Sequence, residues 1–102
     1  MSALLDRLPT LQERFLAGLD RRLDEIAAMM EGARDQDALM RMFHSIAGIA
    51  GTYGYPHITE ISRRGELLCS AAIEEGRAIT ELEERILSHA LVAMRAASSA
   101  AR

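Results

Sequence analysis

The stretch that decides the fold is Phe43–Pro56, FHSIAGIAGTYGYP. Up to Tyr53 its apolar residues keep a helical period, and then Gly54, Tyr55 and Pro56 interrupt it. Glycine past a helix end and proline at the first position of the next helix mark two helices joined by a tight turn. Two further glycines, Gly48 and Gly51, fall inside the first of these helices, where each costs about 1 kcal/mol relative to alanine. A helix weakened twice, directly after His44, needs a reason.

Outward from this hairpin the chain divides into four helical segments. Toward the N-terminus, TLQE reads as a capping box, with Thr10 as N-cap and Glu13 reaching back to its amide. A short turn or helix over about residues 2–7 precedes it. Phe15, Leu16, Leu19, Leu23, Ile26 and Met30 then recur at helical spacing until Gly32. The second helix starts near Asp35 or Asp37 and carries Leu39, Met42, Phe43, Ile46, Ile49 and Tyr53. The third presents Ile58, Ile61, Gly65, Leu68 and Ala72, and stops at Gly76. TELE is a second capping box, Thr80 with Glu83, opening a last helix through Leu82, Ile86, Leu87, Leu91 and Met94. That helix is expected to fray at SSAAR. No strand-like alternation, internal repeat or low-complexity linker is present. Short links between amphipathic helices make neighbours antiparallel. The expected fold is therefore all-α: an antiparallel up-down four-helix bundle with a short N-terminal helix or turn, forming one domain over residues 1–102.

Composition agrees. Of 102 residues 49% are hydrophobic and only 4% aromatic, so Leu, Ile, Met and Ala fill the core. The net charge of −3 is spread along the chain, with no basic stripe for nucleic acid and no basic block for a membrane surface. All twelve basic residues are arginine. The lone Cys69 suits a reducing compartment. MSALLDRLPT is charged at Asp6 and Arg7 and lacks a signal-peptide run, and no segment reaches the ~20 apolar residues of a membrane span. A cytoplasmic location is expected.

Successive helical residues advance by about 100°, which puts His44 about 200° from Ile46 and hence outward. One turn further on lie Ala47 and Gly48, then Gly51, so the imidazole stands beside a surface stripped of side chains. The same small residues also suit close helix packing, and a lone helical histidine is commonly a boundary residue. His57 and His89 read as surface or boundary positions, and the three histidines lack metal-ligand spacing, so neither a metal nor a cofactor is expected. With the turn centred near Tyr55, the residue facing His44 from the third helix is Glu66. An offset of one turn substitutes Ser62, Arg63 or Ser70. A carboxylate accepting Nδ1–H would fix the tautomer and leave Nε2 electron-rich; otherwise Glu66 is a solvated charge near Arg63.

HSIAGIAGTYGY resembles the histidine-containing phosphotransfer (HPt) domain of two-component phosphorelays. It is similar in particular to the phosphotransfer domain of chemotaxis-type histidine kinases, with its H-S-I-K-G-x-A-G-T-F-G-F segment. His44, Ser45, Ile46, Gly48, Ala50, Gly51, Thr52 and Gly54 fit, with Tyr53 and Tyr55 at the aromatic positions. Those domains carry Thr-His-x-x-Glu on the next helix; its glutamate falls on Glu66, its threonine on Ser62 and its histidine on Arg63. The usual lysine three residues after the histidine is Ala47 here, and Arg41, Arg63 or Arg64 would have to supply its charge.

The resemblance implies that His44 takes a phosphoryl group on Nε2 from a receiver-domain aspartate or a sensor or hybrid histidine kinase, and passes it to a response-regulator receiver. Glu66 and Arg63 would assist. Arg41, Ala47, Gly48, Gly51 and Arg64 would meet the partner, Gly48 and Gly51 by letting it approach. The protein would have no kinase or hydrolase activity of its own and would act as a monomer. A second reading, favoured by Ala47, is a degenerate HPt-like module that sequesters a receiver or kinase without carrying phosphate. A third is a bundle that dimerises through its glycine face and buries His44.

Overall fold

The computed structural model describes residues 3–102 of the chain. It contains four helices: α1 (Ala3–Glu31), α2 (Gln36–Thr52), α3 (Pro56–Glu74) and α4 (Glu81–Ala101). Each packs against its neighbours in chain order, and α4 closes onto α1. Among the described residues the backbones of the diagonal pairs stay apart, which makes this an up-down four-helix bundle. The molecule measures 51 × 23 × 19 Å.

The helix ends follow local chemistry. Asp35 caps α2, its carboxylate accepting from the Ala38 amide at 3.1 Å. At the other end Gly54 takes φ +83°, the Tyr55 amide donates to Ala50 O at 2.9 Å and the Gly54 amide to Gly51 O. This paired closure uses carbonyls that α2 would otherwise leave unbonded. Pro56 then opens α3, where its missing amide is no loss. Gly76, at φ +63°, ends α3 in the same way. Thr80 and Glu83 form the expected reciprocal capping box on α4. Glu83 also accepts from both terminal guanidinium nitrogens of Arg77, at 2.6 and 3.1 Å.

The N-terminal expectation is corrected. α1 does not begin at Thr10; it runs through Pro9. Proline removes one backbone bond, to the carbonyl four residues earlier, and that loss near the helix end does not stop the helix. Thr10 and Glu13 thus lie inside α1, where no capping box is formed. Residue 2, at the start of the expected short segment, lies outside the described residues.

The core is built from the residues that the periodicity marked, including Leu19, Leu23, Ile26, Leu39, Phe43, Ile46, Ile58, Leu87 and Met94. Two expectations for α4 fail. Leu82 is 63% exposed and Ile86 48% exposed, because the buried stripe runs Leu87, Leu91, Met94, Ser98 and these two lie beside it, Ile86 bordering the α3–α4 groove. The C-terminus does not fray: α4 stays helical to Ala101, with Ser98 Oγ donating to Asp20 at 3.4 Å and Arg102 pairing with Asp20 at 2.6 Å. On α3, Leu68 is half-buried and Cys69 takes the core position. Burial, with a smaller contribution from the Glu83 charge, pushes the Cys69 thiol up to about 11, so it stays protonated at neutral pH. Among the described residues no helix is long and apolar enough to cross a membrane.

Candidate functional site

α2 and α3 are the most closely packed pair in the bundle, and a missing side chain is what lets them approach. Phe43, wholly buried on α2, lays its ring over Gly65 of α3; a Cβ at Gly65 would stand 2.8 Å from two ring carbons. The next residue on each helix is His44 and Glu66. At this close approach His44 Nδ1 and Glu66 Oε2 are 2.7 Å apart.

The imidazole side chain is 69% exposed and the carboxylate 23%. A carboxylate can only accept, so in the neutral ring the shared proton belongs to Nδ1 and the outer nitrogen, Nε2, keeps its lone pair. Among the described residues nothing bonds to Nε2. The register also settles which α3 residue faces His44. Ser62 is buried and donates to Met94 Sδ at 3.2 Å, leaving Glu66 in place.

Beside the ring the surface is bare. A Cβ at Gly48 would meet nothing within 4 Å, and one at Gly51 only Thr59 Oγ1 at 3.5 Å. Thr52 and Thr59 hydroxyls donate to the Gly48 and Ala47 carbonyls, both at 3.1 Å, which ties down this part of α2. Ala47 is 1% exposed. Its expected place on the contact surface is therefore corrected: it lies under Thr59, between the helices, and offers a partner nothing.

The arginines separate. Arg64 pairs with Glu60 at 2.7 Å and borders the α3–α4 groove with Ile86 and His89. Being one residue after Arg63, it is turned about 100° around the helix. Arg41 is exposed and borders a groove between α1 and α2 with Arg22, Glu25 and Ser45. Arg63 is exposed one turn before Glu66. His57 and His89 are exposed, and among the described residues no three His, Cys, Asp or Glu side chains gather as a metal site requires.

The family model of the Hpt domain matches residues 10–100. The chain belongs to the Hpt family. No curated protein and no solved structure matched it in the corresponding searches. Hpt domains carry out histidine phosphotransfer in phosphorelays and interact there with receiver domains and kinases, so a histidine with a free outer nitrogen is the feature to look for. Among the described residues, His44 is the one histidine of the three that is hydrogen-bonded to a carboxylate. The hairpin register read from the sequence set His44 against Glu66, as the structure has them. It did not disclose the Phe43–Gly65 fit, whose one visible sign was a glycine in the buried stripe of α3.

Proposed function

We propose that this Hpt domain is a phosphoryl carrier and that His44 is the residue that carries the group. The observation that supports this most directly is the 2.7 Å contact from Nδ1 to Glu66 on a ring that is 69% exposed. The Nε2 lone pair attacks the phosphorus of a receiver's aspartyl phosphate. The N–P bond forms as the P–O bond to aspartate breaks, and the aspartate carboxylate leaves with the electron pair. The ring keeps its proton at Nδ1 and becomes cationic, and Glu66 stabilises that charge. Reversal onto a second receiver's aspartate completes the relay. Gly48 and Gly51 let the receiver come close enough for in-line transfer, at a helix cost of about 1 kcal/mol each. In this reading the chain acts as a monomer between a sensor or hybrid kinase and a response regulator.

The test is incubation with a phosphorylated receiver domain or an active histidine kinase, followed by a search for acid-labile, alkali-stable label. Label on the wild type and none on His44→Gln is the expected result. Stable binding without label would instead favour a sequestering module, the reading to which Ala47, in place of the family's usual lysine, lends weight.

A further inference from the structure

This inference rests on the carrier reading and concerns the charge of the carried group. A phosphoryl group brings between one and two negative charges to a position where Glu66 already contributes a carboxylate. A nearby cation would offset that charge, and every lysine-or-arginine position in the chain is arginine. The two helices of the site hold three: Arg41, Arg63 and Arg64. Arg64 is held by Glu60 and borders the α3–α4 groove. Arg41 borders the α1–α2 groove, across α2 from the Glu66 side, with Glu25 also lining it.

Arg63 differs from both. The register that sets Glu66 against His44, and Thr59 against Gly51, brings Arg63 level with Ala47, one turn along from His44. The carboxylates one turn away on its own helix are Glu60 and Glu66, and both are engaged, by Arg64 and His44. Among the described residues Arg63 joins no ion pair. Beside the ring, one turn on from His44, Gly48 has no side chain to fill the space.

We propose that Arg63, acting with the bare surface at Gly48, forms the phosphoryl-oxygen subsite of this protein. The positive charge comes from α3 rather than from α2, where the buried Ala47 has none to give. A guanidinium offers the phosphoryl oxygens a planar pair of N–H donors, a stronger and more directional contact than an ammonium.

The test compares wild type, Arg63→Ala, Arg63→Lys, Arg41→Ala and Arg64→Ala, each checked for native circular dichroism. Phosphoramidate serves as donor. Acceptance is followed by phosphorus NMR, and the pKa of the bound phosphoryl group by its shift against pH. Losing one hydrogen bond to a charged group corresponds to about tenfold or more in rate. Arg63→Ala should lose that much and raise the phosphoryl pKa, because the dianion loses its neighbouring cation. Arg63→Lys should recover part of both, and the other two variants should stay within about twofold of wild type. If Arg63→Ala accepts phosphate at the wild-type rate with an unshifted pKa, the assignment is wrong while the carrier reading stands. A larger loss in Arg41→Ala overturns it too. A wild-type protein that takes no phosphate on His44 from either phosphoramidate or a receiver removes the carrier reading itself.

Discussion

His44 and Glu66 share a hydrogen bond that is short yet open to water on the histidine side, and that exposure limits what the bond contributes. Hydrogen bonds to charged groups contribute about 1.5–3 kcal/mol, and solvent screening pulls an exposed pair to the lower end. Glu66→Ala should therefore slow phosphoryl acceptance roughly tenfold with little change in thermal stability. Nitrogen NMR should show the neutral ring losing its Nδ1–H preference. At Gly48 the two roles of a missing side chain come apart. With nothing within 4 Å of a new Cβ, Gly48→Ala should raise stability by up to about 1 kcal/mol in urea unfolding. Gly48→Leu should also fold, and yet take phosphate from a receiver far more slowly. If the leucine variant is phosphorylated at the wild-type rate, the bare surface has nothing to do with access.

At the scale of the element, the α2–α3 hairpin is governed by one close fit. The Phe43 ring is fully buried, so it has no room to swing away from a methyl group at position 65. Overpacking of this kind costs about 1–3 kcal/mol, against about 1 kcal/mol gained in helix propensity. Gly65→Ala should thus destabilise by up to about 2 kcal/mol and weaken the His44–Glu66 contact by spreading the helices. Adding Phe43→Leu should restore the contact in the double variant, read by the same nitrogen NMR. The opposite signs expected for Gly48→Ala and Gly65→Ala are a direct check on which glycine faces water and which faces a ring. The hairpin itself was legible from Gly54 and Pro56, because a left-handed position and a missing amide act locally. The Phe43–Gly65 contact was not, because glycine in a helix carries no mark of which neighbour fills its space.

Over the whole molecule, the α3–α4 connection is set by charge as much as by packing. The hydrogen bond from Arg77, reinforced by the Thr80 amide, holds Glu83 well below its ordinary value near 4.5, at about 2. A carboxylate whose pKa is depressed on folding stabilises the fold above its unfolded value, and that stabilisation is lost as pH falls toward the folded one. Thermal stability should accordingly drop between about pH 4.5 and pH 2 more steeply in the wild type than in Glu83→Gln, as followed by circular dichroism. Equal slopes would show that this bond does not couple to folding.

By itself the sequence determined the helix count, the hairpin turns, the capping box at Thr80 and the stripe of Leu and Ile that became the core. Each of these depends on residues within a turn or two of one another, where period and terminal chemistry suffice. Tertiary structure alone decided that α1 continues through Pro9, that Ala47 is covered while Gly48 is open, and that Arg64 borders the α3–α4 groove while Glu66 meets His44. Those outcomes depend on the rotation of one helix against another. A difference of one residue turns a side chain by about 100°, which is the difference between a buried seam, a neighbouring groove and the face of the imidazole.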